Sequence, residues 1–227
     1  MTRITEQLER LRGRIQNAAE RSGRDSQGIR IVAVSKKHPP SAIDEARAAG
    51  LTRFGENYLQ EAVAKIVEVG PPAEWHFIGP VQSNKAGPVA ANFDWVHTVS
   101  SERVARRLSA RRPDDTDALQ VCIQLRPAGA PARAGIDEDG LATLAELIEE
   151  LPDLNLRGVM MMPLPGDVDD SRREFARARA VFDRLRAGGH DVDTLSMGMS
   201  GDLEAAIMEG SNMVRIGTDI FGPRIND

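Results

Sequence analysis

The chain has 227 residues and a net charge of −5, and hydrophobic residues make up 41% of it. This length suits one hydrophobic core and leaves little room for a second. The mild acidity excludes the basic surface of a nucleic-acid-binding protein, no apolar run approaches the roughly 20 residues of a membrane-spanning helix, and the single cysteine, Cys122, excludes an internal disulfide.

The first segment of the chain predicts an amphipathic helix. Its apolar residues recur at intervals of three and four, which places them on one face of a helix. They are Ile4, Leu8, Leu11, Ile15 and Ala18. The segment is highly charged and lacks the apolar middle of a signal peptide, so we expect a cytoplasmic protein.

Eight short apolar runs follow, and segments with helical periodicity alternate with them. The runs lie at 30–35, 53–56, 75–79, 95–100, 119–125, 156–162, 194–199 and 213–217. The helical segments lie at 41–50, 57–70, 101–110, 139–151, 171–189 and 202–210, with a weaker one at 84–93 that Gly87-Pro88 interrupts. Ser41 is the predicted N-cap of the first of these segments, and Gly50 is its predicted end. Cys122 falls within the fifth apolar run, where we expect a small core residue.

This alternation predicts an α/β fold, a single (β/α)8 TIM barrel with an extra N-terminal helix, in one domain over residues 1–227. A doubly wound open sheet is the alternative. No G-x-G-x-x-G motif follows the first run, so the dinucleotide-binding form of that alternative has no support.

Polar residues at the ends of the predicted strands point to a ligand site, because TIM barrels bind ligands where their strands end. Lys36 follows the first strand, and an amine held at the barrel mouth can form a Schiff base with an aldehyde. A solvated lysine is the simpler interpretation. Lys37 should point the opposite way from Lys36 along an extended chain.

A second group lies after the seventh and eighth strands, where this fold commonly binds phosphate. Ser200 offers a hydroxyl, and Gly217-Thr218 combines close backbone approach with a second hydroxyl. The alternative is that Ser200 or Asp202 only caps the next helix.

Arg215 lies inside the eighth strand, where alternation directs it either into the barrel or toward a helix. If it is buried it needs a partner, either a carboxylate or an acceptor nitrogen on a cofactor ring. An aldehyde, a phosphate and a ring nitrogen together describe pyridoxal 5′-phosphate as the cofactor. The histidines show no metal-ligand spacing, so no metal is expected.

Four motifs make the chain resemble the pyridoxal phosphate homeostasis protein family over nearly its whole length. They are VAVSKKHP, FGENYLQEAVAK, WHFIGPVQSNK and LSMGMSGDLEAAIMEGSNMVRIGTDIFG. The resemblance implies a barrel like the N-terminal domain of alanine racemase and a role in intracellular supply of the cofactor. It implies that Lys36 forms the Schiff base, that Ser200, Gly217 and Thr218 hold the phosphate, that Arg215 faces the pyridine nitrogen, and that Asn57 lies near the ring.

Two parts of the WHFIGPVQSNK motif match the family without a role that the residues explain. His76 begins the third strand, where a structural hydrogen-bonding role is expected, and Ser83-Asn84-Lys85 follows that strand. The chain departs from the family pattern after the fifth strand. Relatives carry an acidic residue and a lysine before a glycine there, whereas this chain has RPAGAPARAG at 126–135, with Arg133 near the place of the lysine. We expect this Pro- and Gly-rich segment to be a mobile loop.

The resemblance favours a carrier or regulator over an enzyme. Alanine racemase uses a second base, a tyrosine, from a second domain, whereas the only tyrosine here is Tyr58 at a helix start, and the sequence ends about ten residues after Thr218. An arginine at the ring nitrogen also weakens the ring as an electron sink. A small amino-acid racemase and a cofactor-free lysine aldolase are the alternatives. Apo-enzymes that use the cofactor are candidate partners, and a monomer is expected.

Overall fold

The computed structural model describes residues 2–223, so both ends of the predicted 1–227 domain lie outside the described residues. Eight parallel strands form a closed barrel in chain order, and β1 pairs with β8 to complete it. The strands are β1 Arg30–Val34, β2 Arg53–Glu56, β3 Glu74–Phe77, β4 Trp95–Val99, β5 Leu119–Leu125, β6 Leu154–Met161, β7 Thr194–Ser196 and β8 Met213–Ile216. The predicted TIM barrel is therefore confirmed, and the open doubly wound sheet is wrong.

Helices surround the barrel and follow the strands. They are α1 Arg3–Arg21, α2 Pro40–Ala48, α3 Leu59–Val69, α4 Ala86–Asn92, α5 Glu102–Ser109, α6 Glu138–Glu150, α7 Val168–Ala187, α8 Leu203–Met208 and α9 Thr218–Phe221. The extra N-terminal helix α1 buries its predicted apolar stripe and packs against α8 and α9. None of the helices described in residues 2–223 has the length and apolar character that crossing a bilayer requires.

Some helix and strand boundaries differ from those predicted from the sequence. Helix α2 begins at Pro40 rather than after Ser41, because the fixed φ of proline suits the first helical position. The short helix α9 was not predicted at all. Strand β7 ends at Ser196, three residues early, because Gly198 has a φ of +96° that turns the chain out of the extended conformation. Helix α4 forms despite Gly87-Pro88, because that pair lies in its first turn.

The inside of the barrel has its own small apolar cluster, separate from the larger core that also contains the helices. Its members are Val32, Trp95, Cys122, Met160 and Met213. Cys122 is fully buried, and burial raises the pKa of its thiol to about 12, so the expected core role of this residue is confirmed. Polar side chains occupy the rest of the interior and set up the site.

Candidate functional site

A cavity of about 530 Å³ opens where the barrel strands end. This is the size of a site for a small organic ligand. All six residues predicted from the sequence line it, and they come from four separate parts of the chain. They are Lys36, Asn57, Ser200, Arg215, Gly217 and Thr218.

Lys36 reaches the cavity from the end of β1, whereas Lys37 does not line it. Lys36 is half-buried and Lys37 is exposed. The two side chains separate as predicted, but the expected extended chain is wrong, because both lysines lie in a turn in which Lys37 has a φ of +63°. The residues on both sides of Lys36 are held by hydrogen bonds. The Ser35 hydroxyl donates to Glu56 at 2.6 Å, and the backbone N–H of Lys37 donates to Glu61. The backbone that carries the Lys36 side chain is therefore fixed from both directions.

A buried lysine completes this support. Lys65 on α3 donates to the Ser35 carbonyl at 2.7 Å, to Glu56 at 2.8 Å and to Glu61 at 2.6 Å, which uses all three ammonium hydrogens. Burial raises the pKa of Glu56, and the hydrogen bond from Lys65 opposes that shift. Lys65 thereby joins α3 to Glu56 at the end of β2 and to Ser35, the residue before Lys36.

We expect Lys65→Met to lower the free energy of unfolding by about 3–5 kcal/mol, because it leaves the Glu56 carboxylate buried without its cation. Combining it with Glu56→Gln should recover much of the loss, and Lys85→Met, at an exposed lysine, serves as the control. Urea unfolding measures each value. A loss for Lys65→Met no larger than that of the Lys85 control would contradict this role.

The loops after β7 and β8 bring Ser200 and the Gly217-Thr218 pair to one side of the cavity. The backbone N–H of Asp219 donates to the Ser200 hydroxyl oxygen at 3.4 Å, which joins the two loops. Asp202 stands at the N-cap position of α8, but its carboxylate accepts from the Met199 N–H instead of capping the helix. The capping alternative for α8 is therefore wrong: Asp202 makes no side-chain cap, and the Ser200 hydroxyl accepts from the backbone of α9 instead.

Arg14 on α1 fastens these loops from outside the barrel. Its guanidinium donates to the Ser200 carbonyl at 3.0 Å and to Glu204 at 2.6 Å, and it also pairs with Asp219. The extra N-terminal helix thereby helps to position the loops after β7 and β8 at the cavity. Arg14 was not predicted, because its partners lie about 190 residues away along the chain and its place on α1 reads as an ordinary solvated position.

Arg215 points into the barrel, which resolves the choice that strand alternation left open. It is 5% exposed, donates to the Ser196 hydroxyl at 2.8 Å and to the Met161 carbonyl at 3.0 Å, and lines the cavity. No carboxylate of residues 2–223 forms an ion pair with it. Burial lowers its pKa to about 10, so the group stays cationic at neutral pH. A buried cation without a carboxylate contact favours an acceptor from a ligand.

Asn57 also carries an unsatisfied group. Its Oδ1 is buried without a hydrogen-bond partner in the described part of the chain. A buried acceptor left unpaired costs about 1–3 kcal/mol, so such atoms are usually matched by a ligand or water. A glycine at position 79 allows the two backbones to approach closely, since a Cβ there would lie 2.1 Å from the Asn57 carbonyl oxygen.

His76 has the structural hydrogen-bonding role expected from the sequence. It is fully buried in the barrel. Its Nδ1 shares a hydrogen bond of 2.8 Å with His97 Nε2, and its Nε2 lies 2.7 Å from a Glu74 carboxylate oxygen. Burial lowers the pKa of His76 and lowers that of His97 well below its usual value. Both imidazoles are therefore neutral at physiological pH.

These depressed pKa values predict that the protein loses stability as the pH falls. Unfolded histidines take up protons below about pH 6.5, whereas folded His76 and His97 resist protonation, so the unfolded state gains protons and the free energy of unfolding drops. The slope should reach about 1.4 kcal/mol per pH unit for each histidine. Urea unfolding of the wild type and of His97→Gln between about pH 7.5 and 5.5 isolates the His97 contribution. Equal slopes in the two proteins would refute the assignment.

Several cavity residues had no clear signal in the sequence. His38 stacks on Phe221 with ring centroids 5.0 Å apart, and Thr98 donates to the Gly79 carbonyl at 2.6 Å. Arg133, from the segment that departs from the family pattern, lines the cavity and places a cation at its mouth. The segment is irregular, as predicted; its mobility stays a prediction. Ser83-Asn84-Lys85 forms a short turn that does not line the cavity.

The fold and the site together define a class: an alanine-racemase-like barrel in which a lysine after β1 and the loops after β7 and β8 line one cavity. A family model described as the N-terminal domain of alanine racemase matches residues 7–224. Alanine racemase from Corynebacterium glutamicum aligns with a TM-score of 0.69 and 17% identity, over 96% of this chain and 62% of that chain, which shows the fold alone.

The chain belongs to the pyridoxal phosphate homeostasis protein family. The family member from Pseudomonas aeruginosa is 47% identical over 226 residues, which cover 99% of this chain and 97% of that protein. The Escherichia coli member is 48% identical over 229 residues, with coverages of 99% and 98%. The structure of PipY from Synechococcus elongatus PCC7942 with pyridoxal phosphate bound has a TM-score of 0.83 and 35% identity, over 97% of this chain and all of PipY.

Proposed function

We propose that this chain binds pyridoxal 5′-phosphate through a Schiff base on Lys36 and contributes to the homeostasis of that cofactor in the cytoplasm. The observation that carries the proposal is the convergence of Lys36, the Ser200 and Thr218 hydroxyls, and a buried, cationic Arg215 on one cavity. The relatives named for this function, and a relative solved with the cofactor bound, support it.

The residues present fit the cofactor. The cavity of about 530 Å³ is large enough for it, and the unpaired Asn57 Oδ1 offers an acceptor to a ligand donor. Arg215 has five N–H groups, of which Ser196 and Met161 accept two, so others remain for a ring nitrogen. Ser200 and Thr218 would donate to the phosphate beside the Gly217 backbone.

The cofactor supplies an aldehyde for covalent attachment and a pyridine ring that can accept electrons. Lys36 would provide the amine that condenses with the aldehyde, with loss of water. Arg215 donates a hydrogen bond and does not give up its proton, so it would keep the pyridine nitrogen unprotonated. An unprotonated ring is a weak electron sink, so this chain would hold the cofactor without efficient catalysis.

A non-catalytic role also agrees with the titratable groups of the cavity. Besides Lys36, those among residues 2–223 that line it are His38, Arg133 and Arg215, and arginine does not act as a base. Tyr58 is 51% exposed and does not line the cavity. His38 is therefore the candidate second base for the alternative function, a small amino-acid racemase. We further propose one cofactor-binding domain over residues 1–227, a monomer, with apo-enzymes as recipients of the cofactor.

Phosphate recognition is tested by Ser200→Ala combined with Thr218→Val. Each charge-assisted hydrogen bond contributes roughly 1.5–3 kcal/mol, so affinity for pyridoxal phosphate should fall by at least about a hundredfold. Affinity for unphosphorylated pyridoxal should hardly change, which makes pyridoxal the matched control. Absorbance titrations measure both ligands. If both affinities fell equally, the phosphate would have to bind elsewhere.

A further inference from the structure

A chain of hydrogen-bonded side chains runs through the barrel interior and ends on Arg215. Arg215 donates to the Ser196 hydroxyl at 2.8 Å, and that hydroxyl lies 2.8 Å from His97 Nδ1. His97 Nε2 lies 2.8 Å from His76 Nδ1, and His76 Nε2 lies 2.7 Å from the Glu74 carboxylate. Glu74 begins β3 and is 37% exposed in its side chain, at the opposite end of the barrel from the cavity.

The direction of every bond in this chain follows from its acidic end. An ionised carboxylate only accepts, so His76 must donate to Glu74 through Nε2. A neutral His76 then accepts at Nδ1, which requires a proton on His97 Nε2. A neutral His97 accepts at Nδ1, so the Ser196 hydroxyl donates its only hydrogen there. The Ser196 oxygen keeps lone pairs to accept from Arg215. Each group therefore donates to the next one, from the guanidinium at one end to the carboxylate at the other.

The surrounding charges support neutral imidazoles. His76 faces Glu74, Arg53 and Asp94 as well as His97. His97 faces His76 together with the cations Arg215 and Arg30. A proton on His97 would thus be buried among positive groups without a carboxylate in contact, which is unfavourable.

We propose that Ser196, His97, His76 and Glu74 are positioning residues for Arg215, and that they hold its guanidinium toward the cavity ligand from the far end of the barrel. The part of this inference that concerns cofactor binding rests on the proposed function. A carboxylate in direct contact would also hold Arg215, but it would neutralise the guanidinium and compete with an acceptor in the cavity. A neutral hydroxyl fixes the geometry and leaves the charge available.

The first test needs no cofactor. Proton–nitrogen correlation spectra of the protein without cofactor report which ring nitrogen of each histidine carries hydrogen. We expect His76 and His97 both to be protonated at Nε2 only and to keep this state between about pH 6 and 8. A proton on Nδ1 of either ring, or titration of either ring in that range, would contradict the proposed series of hydrogen bonds, whatever ligand the protein binds.

The second test asks whether these hydrogen-bonded side chains affect the bound cofactor. Ser196→Ala and His97→Phe should weaken pyridoxal phosphate about tenfold, which corresponds to 1.4 kcal/mol, and should shift the absorption of the bound cofactor. Ser196→Thr, which keeps the hydroxyl, should restore both. Cys122→Ala lies in the same barrel interior outside the chain, and we expect wild-type affinity and absorption for it.

Glu74→Ala tests the same series of hydrogen bonds without altering the packing around the cavity. The Glu74 side chain is partly exposed and lies at the opposite end of the barrel. The substitution should shift the absorption of the bound cofactor in the wild-type background but have no further effect in Ser196→Ala. Arg53→Ala removes the other partner of Glu74, which donates at 3.1 Å, and should leave the absorption unchanged. Unaltered absorption and affinity in Glu74→Ala, Ser196→Ala and His97→Phe would overturn the positioning role, whereas a wild type that fails to bind the cofactor would overturn the proposed function.

Discussion

Replacing Lys36 with alanine should abolish the Schiff-base absorption of the protein mixed with pyridoxal phosphate, because Lys36 is the only lysine of residues 2–223 that lines the cavity. The loops after β7 and β8 remain intact in this variant. Weak, non-covalent binding of the phosphate should therefore persist, with an absorption like that of the free aldehyde. Absorbance spectra before and after removal of unbound cofactor make the measurement.

Lys37→Ala is the matched control, since Lys37 is the adjacent lysine but is exposed and does not line the cavity. Its Schiff-base band should match that of the wild type. A band that survives in Lys36→Ala and disappears in Lys37→Ala would reverse the assignment of the two lysines.

The second large effect concerns Arg215. With Arg215→Glu the pyridine nitrogen can hold a proton, so the ring becomes a better electron sink and its absorption should shift. Exchange of the Cα proton of alanine and serine should rise above the wild-type rate, which should itself be very slow. Deuterium incorporation, measured with each protein saturated in cofactor, gives both rates.

Arg215→Gln provides the control for loss of the buried cation, because its shorter, neutral side chain introduces no carboxylate that could stabilise a proton on the ring nitrogen. Its exchange rate should stay close to that of the wild type, and unfolding curves confirm that both variants fold. Rapid exchange by the wild type, with both enantiomers accumulating, would contradict the carrier role. It would favour the racemase, with His38 as the second base.

The sequence was sufficient to predict the barrel and the six cavity residues, for a physical reason. Parallel strands that close into a barrel bring their carboxyl ends to one face, so residues such as Lys36 and Thr218 converge although they lie far apart in the chain. Recognition of the strand ends therefore predicts a shared site without any knowledge of side-chain contacts. The residue types at those ends then suggested pyridoxal phosphate as the ligand, and the family resemblance agreed with it.

What the sequence did not reveal depends on contacts between distant elements. Arg14 acts through Glu204 and Asp219, and periodicity on α1 does not identify those partners. The buried Lys65 reads as a polar helix position until α3 packs over the end of β1. The end of β7 was misplaced because the sequence does not show that Gly198 adopts a positive φ.

The interior histidines show the same limit. Strand alternation allows His76 and His97 to point inward, but their bond to each other requires the registration of β3 with β4. Whether Arg215 meets a carboxylate or a hydroxyl likewise depends on which residue of β7 faces it. Sequence analysis considered only a carboxylate or the ring nitrogen of a cofactor as the partner of Arg215, and the structure places the Ser196 hydroxyl there.

The central claim is that Lys36 binds pyridoxal phosphate covalently, and borohydride reduction followed by peptide mass mapping tests it most directly. Reduction turns the Schiff base into a stable amine, so the modified lysine can be located in the wild-type protein. We predict a single phosphopyridoxyl group on the peptide that contains Lys36, at that residue. An adduct on Lys37 or Lys65, or a protein that remains unmodified when saturated with the cofactor, would contradict the account.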